Sequence, residues 1–350
     1  MAAAYRHYLP LTHAALTPGT DSCGCSGAPR RLCDVCYSTE RVFLACSGAC
    51  LGRHQEAHHP EQAGLSAPAR ARAFAQSVNG RFPDNWQRYA PHRHRLMQLV
   101  EQAGTGGKLA VFGAGNASDL ELAWLVERFD EVHLIDLDEA ALARAQARHA
   151  VKFPERVVLH PSIDLSGLIE QLDPWGEAFP EPAELGGRAV EAAGKLVREL
   201  GQFDVTLSTC VLSQLGLPFR RAWVTSRTCW AHLSSAITGV HLATLAGTTR
   251  RASVLVCDVA TTERAPALDG YRERSGAELA AFVEGQVLRG ALGLNPDPRS
   301  LLAWLQAPGL AGLVASPRLV EPWLWDLGEV RQLVYGLTFR HAQAPGRDGR

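Results

Sequence analysis

The sequence predicts an α/β protein with a doubly wound, mostly parallel sheet and a small Cys/His-rich module at its N-terminal end. Three observations predict this organisation. Strand-like and helix-like stretches alternate after about residue 106, a complete βαβ unit occupies 108–144, and six of the nine cysteines lie within the first fifty residues. We therefore divide the chain into a Cys/His-rich module (1–62), a linker with helices (63–105) and an α/β domain (106–345).

Length and composition are those of a soluble globular protein. The chain has 350 residues, of which 46% are hydrophobic and 20% charged, and its formal net charge is −1. It is long enough to bury a full core in one large domain beside a small module. The balanced charge gives no general attraction to nucleic acid or to an anionic membrane. Without a signal-peptide pattern or a bilayer-spanning apolar run, we expect a cytoplasmic protein.

The βαβ unit has the pattern of a nucleoside pocket. The turn that follows a predicted strand at 109–112 consists of Gly113, Ala114, Gly115 and Asn116. A helix is expected from about Asp119, and a second strand at 132–135 leads into Asp136. Glycines remove side chains where the backbone passes close to a ligand, and the first helical turn offers unpaired N–H groups there. Asp136, 21 residues after Gly115, is placed to accept hydrogen bonds from both ribose hydroxyls.

The glycine pattern of the turn argues against a dinucleotide as the ligand. Ser118 replaces the third glycine of the dinucleotide pattern G-x-G-x-x-G, so the turn suits a pyrophosphate poorly. With the acidic run 136–139, the passage GAGN-x-x-DL … VHLIDLD resembles motif I and the acidic strand end of class I S-adenosylmethionine-dependent methyltransferases. The family often has an acidic residue where this chain has Val111, so Asn116 or Asp119 is expected to contact the methionine end instead. The simplest alternative is a βαβ crossover that binds no ligand.

The resemblance implies S-adenosylmethionine as the cofactor and a set of contacts at the strand ends. These candidates are Gly113, Ala114, Gly115, Asn116, Asp119, Asp136, Leu137, Asp164, Ser208 and Thr209. Asp164 follows a predicted strand at 156–160, and it either meets the adenine amino group or caps a helix that starts near Leu165. The fourth strand, 203–210, ends where ligands gather in such sheets, and its end should face the methyl group or the acceptor. The side chains concerned are Ser208, Thr209, Cys210, Val211, Ser213 and Gln214.

The remaining elements follow the order of the same family. Helices are predicted at 72–79, 91–102, 140–150, 188–200 and 223–245, and further strands at 252–259, 318–325 and 332–339. The resemblance implies a seven-stranded sheet whose last strand is antiparallel. The proline-containing stretch 173–187 is expected to form a surface loop, and the basic cluster 92–95 a solvated helix face. Cys210 is interpreted as a small core residue rather than a nucleophile.

The N-terminal module has the ligand spacing of a structural zinc site. The candidate ligands are Cys33, Cys36, Cys46, Cys50, His54 and His58. Two short cysteine pairs about ten residues apart supply a tetrahedral set, and a reducing compartment favours metal binding over disulfides. On a helix, Cys50 and both histidines recur every four residues along one face, so a histidine replaces a cysteine or completes a second site with Cys23 and Cys25. Buried thiols and solvated histidines are the alternative.

The resemblance predicts transfer of a methyl group from S-adenosylmethionine to an N, O or S nucleophile of an unidentified acceptor. A non-catalytic S-adenosylmethionine sensor or a zinc-module scaffold is the second hypothesis. An NAD-dependent oxidoreductase is the third, and the missing third glycine disfavours it. Candidate general bases are His232, His241, Asp258 and Tyr271. No motif singles out any of them, so the sequence assigns no catalytic residue.

Overall fold

The computed structural model describes most of the α/β domain and parts of the N-terminal module. The described residues are 20–22, 31–32, 42–45, 48–58, 64–80, 86–148, 153–175, 179–222, 227–263, 265–271, 276–328 and 330–342. In the module, β1 (Thr20–Ser22), β2 (Arg31–Leu32) and β3 (Val42–Ala45) form a small sheet in the order β1-β3-β2, and the helix Gly48–His58 follows. No helix in the described part of the chain is long and apolar enough to cross a membrane.

The α/β domain is built on a seven-stranded sheet. Its strands are β4 (Lys108–Phe112), β5 (Glu131–Ile135), β6 (Val157–His160), β7 (Phe203–Thr209), β8 (Thr249–Thr261), β9 (Val314–Asp326) and β10 (Arg331–His341). They lie in the order β6-β5-β4-β7-β8-β10-β9, and β10 runs antiparallel to both of its neighbours. The first five strands pair in parallel. The predicted fold class, a doubly wound and mostly parallel seven-stranded sheet, is confirmed.

After Lys108, the central strand β4 is apolar from Leu109 to Phe112, as expected for a strand buried on both faces of the sheet. Leu109 and Val111 belong to one buried cluster, and Ala110 and Phe112 to the cluster on the opposite face. All four side chains are 0% exposed. The alternation follows from the two-residue period of a strand, which sends successive side chains to opposite faces. Buried side chains on both faces of the sheet therefore hold the carboxyl end of β4 in place.

The helices fall close to their predicted positions. Those of the domain and linker are Ala67–Gly80, Ala90–Ala103, Leu122–Arg128, Glu139–Arg148, Leu172–Trp175, Pro182–Leu200, Leu212–Leu215, Leu217–Ala222, Arg227–Thr248, Ala277–Leu288, Pro298–Gln306 and Pro308–Ala311. Short 3₁₀ helices span Pro154–Arg156, Ile169–Gln171 and Pro266–Tyr271.

One helix begins later than predicted. The expected start near Asp119 is wrong, because two successive turns occupy 114–120 and the helix begins at Leu122. Ala117 N–H donates to Ala114 O at 2.7 Å and Leu120 N–H to Ala117 O at 3.2 Å. Ala117 adopts a left-handed conformation with φ 51°. The first helical turn is therefore separated from Gly115 by several residues.

The stretch 173–187 is not the surface loop that was predicted. Trp175 is buried, and its indole N–H donates to Glu184 Oε1 at 3.2 Å. The following helix begins at Pro182, where a proline is favourable because its missing N–H would have no partner in the first turn. Pro182 thus starts a helix in a stretch whose prolines were interpreted as loop residues.

The basic cluster 92–95 is also not a uniformly solvated face, since His92 and Arg93 are only 1% and 3% exposed. Arg93 pairs with Glu121 at 2.6 Å and donates to Ser118 O at 2.9 Å, which ties its helix to the turn after β4. The His92 ring stacks on Trp325 at a centroid distance of 4.1 Å. Burial lowers the pKa of His92 to about 3, with Arg93 adding to the effect, so its imidazole is neutral at physiological pH. The partners of both residues are distant in sequence.

Candidate functional site

A cavity opens at the carboxyl ends of β4, β5 and β7. This position is the point where the strand order reverses, which is where ligands bind in doubly wound sheets. Four of the predicted cofactor contacts line the cavity: Gly113, Asp136, Leu137 and Asp164.

Asp136 faces the glycine turn. Gly115 N–H donates to its Oδ2 at 2.8 Å, and Asp138 N–H donates to its Oδ1 at 2.9 Å. Burial raises the pKa of Asp136, and these two backbone donors oppose that rise. An ionised carboxylate oxygen has two lone pairs, so each oxygen keeps one for a further donor. Asp136 and the turn after β4 therefore form the two sides of one site.

Gly113 has a second reason to be glycine. Its φ is +75°, and a Cβ added there would lie 2.3 Å from Val211 Cβ. The chain beyond β7 passes directly against the turn, so close approach by the protein itself, as well as by a ligand, excludes a side chain. Gly113 thus allows Val211 to reach the cavity that both residues line.

The predicted residues Gly115, Asn116 and Asp119 form hydrogen bonds that hold the turn in place. Asn116 Nδ2 donates to Asn79 O at 2.8 Å, and Asn116 Oδ1 accepts from Arg144 Nε at 3.0 Å. Asp119 accepts a hydrogen bond from the Thr209 hydroxyl. None of these three residues, nor Ala114, is part of the described cavity lining. Contact of Asn116 or Asp119 with a methionine end stays a prediction, while the contacts made by both side chains hold the turn against its neighbours.

The buried Asp119 carboxyl should make stability depend on pH. Burial raises its pKa from 3.8 to about 6, against the hydrogen bond from Thr209. The Asp119 carboxyl therefore binds its proton more tightly in the folded state than in the unfolded state. Its contribution to the free energy of unfolding of the protein should fall as pH rises from about 4 to about 6. The loss is on the order of 3 kcal/mol, from 1.36 kcal/mol per pKa unit. Denaturant unfolding between pH 4 and 7 should show this slope reduced in Asp119→Asn; an unchanged slope would contradict the assignment.

Asp164 combines a capping role with a place in the cavity wall. Its carboxylate accepts from Ser166 N–H at 2.9 Å, from Ser166 Oγ at 2.6 Å and from Ile169 N–H at 2.8 Å. These bonds cap the turn that leads into the 3₁₀ helix at Ile169, so the helix expected near Leu165 begins later. The predicted contact with an adenine amino group stays untested.

Of the six side chains predicted at and just beyond the end of β7, two line the cavity. Ser208 and Thr209 are buried and do not line the cavity: Ser208 Oγ lies 2.8 Å from His241 Nε2, and Thr209 is bonded to Asp119. Val211 and Gln214, a little further along the chain, do line it. Burial raises the pKa of the Cys210 thiol well above its usual value, which favours the interpretation as a core residue over a nucleophile.

Sequence reasoning missed the contribution of the helix Ala67–Gly80. Phe74, Ala75 and Asn79 of this helix line the cavity. In the connector that precedes the next helix, the Trp86 ring packs under the Arg93 guanidinium at 3.5 Å. No local spacing links the helix Ala67–Gly80 to the glycine turn, so the sequence carries no signal for this contact.

None of the four candidate general bases is part of the described cavity lining. Burial lowers the pKa of His241 to about 4, so the ring is neutral. Tyr271 stacks on Phe282 at 3.8 Å, and Asp258 accepts from Ser213 Oγ at 2.6 Å. His232 lines a separate apolar groove. The described part of the site therefore offers no evident proton acceptor other than its two aspartates.

The described lining of the cavity carries acidic side chains and no basic ones. Among the described residues that line it, the ionisable side chains are Asp136 and Asp164, and none is Lys, Arg or His. A pyrophosphate would meet two carboxylates without a cation to neutralise it. A ligand that is neutral or carries a positive charge is compatible with this lining.

The zinc prediction falls mainly outside the described residues, because Cys33, Cys36 and Cys46 lie there. Cys50 is buried and accepts a hydrogen bond from Arg53 Nη2 at 3.0 Å. The rings of His54 and His58 lie 4.8 Å apart on the helix Gly48–His58, consistent with the predicted shared face. Within the described ranges, no group of three or more His, Cys, Asp and Glu side chains could hold a metal ion. Zinc binding stays a prediction.

Elemental analysis tests the zinc prediction directly. Four-ligand coordination by the module predicts about one zinc per purified chain. Because the metal would supply the folding energy of the module, a chelator should unfold 1–62 and leave the α/β domain folded. A folded module that contains no metal would contradict the prediction.

No protein-family model matches this chain, and no curated protein matches it. Among solved structures, it is similar to the N-methyltransferase NodS from Bradyrhizobium japonicum in complex with S-adenosyl-L-homocysteine, at 12% identity and a TM-score of 0.34, over 73% of this chain and 87% of that one. It is also similar to an O-methyltransferase family protein from Burkholderia thailandensis, at 12% identity and a TM-score of 0.38, over 85% and 72% of the two chains.

A third similar structure is the magnesium protoporphyrin IX methyltransferase ChlM from Synechocystis PCC 6803 with bound S-adenosyl-L-homocysteine. It has 12% identity and a TM-score of 0.34, over 73% of this chain and 83% of that one. These similarities concern the fold alone. What the site binds has to be argued from its own geometry.

Proposed function

We propose that this protein is an S-adenosylmethionine-dependent methyltransferase that acts on an N, O or S nucleophile. One observation carries the proposal: Asp136 at the end of β5 and Gly113 at the end of β4 line the same cavity, and Gly115 N–H donates to the Asp136 carboxylate. A carboxylate in this position suits the two adjacent hydroxyls of a ribose, each of which donates one hydrogen bond.

The residues present fit S-adenosylmethionine better than a dinucleotide. The lining carboxylates Asp136 and Asp164 suit a sulfonium cation and oppose a pyrophosphate. The helix that would hold a pyrophosphate at its first turn begins only at Leu122, and Ser118 occupies the position of the third glycine. Both features weaken the NAD hypothesis on grounds that are independent of each other.

The chemistry requires little from the protein beyond alignment. When bound, S-adenosylmethionine supplies a methyl carbon to which the lone pair of the acceptor forms a bond, while the carbon–sulfur bond breaks and its electron pair stays on sulfur. Asp136 would hold the ribose, and the apolar walls formed by Phe74, Ile163 and Leu215 would exclude water. An N–H or O–H acceptor would lose its proton to bulk solvent after the product leaves the site, so a lining with no evident base beyond its two aspartates is compatible with this reaction.

Ligand-induced thermal shifts test the proposal. S-adenosylmethionine and S-adenosylhomocysteine should each raise the melting temperature, whereas NAD at the same concentration should leave it unchanged. Stabilisation by NAD alone would support the oxidoreductase hypothesis and contradict ours.

A labelled-methyl screen separates an enzyme from a sensor. Incubation with S-adenosylmethionine labelled in its methyl group and with fractionated cell extract should transfer the label to one acceptor fraction. Binding without transfer to any fraction would favour the non-catalytic sensor.

A further inference from the structure

The segment after β7 turns back over the cavity and is fixed there by several bonds. Cys210 is in a left-handed conformation with φ 47°, and its N–H donates to Val256 O at 2.8 Å. A non-glycine residue pays a strain cost there that the surrounding contacts must offset. The short helix Leu212–Leu215 follows at once. As a result, residues beyond the strand, rather than those within it, line the cavity.

One side-chain hydrogen bond anchors this turn to the sheet, and a backbone hydrogen bond closes it. Ser213 Oγ donates to Asp258 Oδ1 at 2.6 Å, which ties the short helix to β8. Gln214 N–H donates to Val211 O at 2.8 Å and closes the turn on itself. The backbone of Gln214 is therefore held in place from two sides.

The side-chain amide of Gln214 is oriented by the protein. Its Nε2 donates to Cys210 O at 2.9 Å. Since a backbone carbonyl only accepts, the NH₂ group must face Cys210 and the carbonyl oxygen Oε1 must be the other terminal atom of the amide. Gln214 lines the cavity, and no bond from Oε1 to another described residue is formed. Gln214 thus contributes to the cavity lining an amide whose carbonyl oxygen is not bonded to the described part of the protein.

The surroundings of this amide are apolar and lack cations. Leu215, Leu217 and Pro218 from the same segment and Phe74 from the opposite helix line the same cavity. The other described polar side chains in the lining are Asn79, Asp136 and Asp164, none of which is basic. The described lining therefore offers an anionic group no basic side chain as a partner.

We propose that Gln214 Oε1 selects the methyl acceptor by accepting a hydrogen bond from its reacting N–H or O–H group. The acceptor is then a neutral molecule with an apolar flank whose nucleophilic nitrogen or oxygen still carries a hydrogen. This inference rests on the proposed methyltransferase function and narrows its substrate class. Tertiary amines, thioethers and carboxylates are excluded as acceptors.

Small aromatic probes test the inference without knowledge of the natural acceptor. The protein is saturated with S-adenosylhomocysteine, and dissociation constants are measured by ligand-observed NMR for phenol, anisole, aniline, N,N-dimethylaniline and benzoate. One neutral hydrogen bond corresponds to about a fivefold difference in affinity. Phenol should bind about fivefold more tightly than anisole, aniline should do the same relative to N,N-dimethylaniline, and benzoate should bind most weakly.

Substitutions of Gln214 test whether its amide causes the preference for phenol over anisole. Gln214→Leu should bind phenol and anisole equally, and Gln214→Met, whose flexible side chain has a similar length, serves if the leucine variant does not fold. The matched control Gln102→Leu, at an exposed position in the helix Ala90–Ala103, should keep the wild-type preference. A preference that persists in the position-214 variants, no preference in the wild type, or no binding of either neutral pair would overturn the inference.

Calorimetry with S-adenosylhomocysteine separates this inference from the function on which it rests. The wild type and the position-214 variants should bind S-adenosylhomocysteine with similar affinity, because Gln214 is assigned to the acceptor. Equal cofactor binding together with failed discrimination would reject the role of Gln214 alone. Absence of cofactor binding in the wild type would reject the methyltransferase proposal and, with it, this assignment.

Discussion

Replacing Asp136 with alanine is expected to abolish measurable binding of S-adenosylmethionine. The substitution removes the carboxylate that would accept from both ribose hydroxyls, and hydrogen bonds to a charged group contribute about 1.5 to 3 kcal/mol each. Loss of two such bonds weakens binding on the order of 100-fold or more. Isothermal titration calorimetry of Asp136→Ala against the wild type measures the effect.

The control for this prediction is Glu139→Gln. Glu139 is an exposed residue in the first turn of the helix Glu139–Arg148, so its substitution removes one negative charge near the site without touching the cavity lining. Its affinity should remain within about threefold of the wild type, since exposed charges are well screened. Because Asp136 also accepts from Gly115 and Asp138, thermal unfolding should accompany the titration. Retained affinity in folded Asp136→Ala would contradict the proposed pocket.

Replacing Gly113 with alanine is expected to destabilise the protein severely or to prevent folding. The new Cβ would lie 2.3 Å from Val211 Cβ, at a backbone φ of +75°. The left-handed conformation alone costs an L-residue about 1 to 2 kcal/mol, and overpacking adds about 1 to 3 kcal/mol. Denaturant unfolding of Gly113→Ala should therefore show a loss of about 2 to 5 kcal/mol.

A double variant separates the two contributions. Gly113→Ala with Val211→Gly removes the side chain that clashes and should recover the steric part when compared with Val211→Gly alone, while the backbone strain stays. The matched control is Gly187→Ala in the helix Pro182–Leu200, where an added Cβ meets nothing within 4 Å. That control should be stabilised by roughly 0.5 to 1 kcal/mol, because alanine is the better helix former. A Gly113→Ala protein as stable as the wild type would contradict the described packing.

The parts of the site that the sequence predicts correctly are local. Gly113 and Asp136 belong to one βαβ unit, and the period of the strands and the position of the turn are enough to bring them together. The seven-stranded sheet with an antiparallel last strand was expected from the family resemblance, since crossover helices alone do not determine that β7 lies beside β4. These predictions needed no knowledge of distant contacts.

The predictions that fail depend on contacts between distant segments. The helix Ala67–Gly80 reaches the cavity because Arg72 pairs with Glu170 and Ala67 N–H donates to Asp173, contacts that no local spacing indicates. The His92 ring is buried against Trp325, on which it stacks, and the Arg93 guanidinium is buried where it pairs with Glu121. Tertiary contacts of this kind override the solvated character that their sequence neighbourhood predicts.

The turn after β7 shows that an unusual backbone conformation also limits prediction from the sequence. The side chains expected to face the site include Val211 and Gln214 as well as Ser208 and Thr209, but after the left-handed turn at Cys210 only Val211 and Gln214 line the cavity. A non-glycine residue rarely adopts a positive φ, so propensity alone does not predict this turn. Strain of this kind commonly occurs at functional sites, which is consistent with the role inferred for Gln214.

The most direct test of the central claim is a crystal structure of the protein grown with saturating S-adenosylhomocysteine. Our account predicts that the two ribose hydroxyl oxygens lie within about 2.5 to 3.0 Å of the Asp136 carboxylate oxygens, with the rest of the molecule in the cavity beside Gly113. A ribose bound away from Asp136, or a cavity that stays empty at saturating ligand, would contradict it.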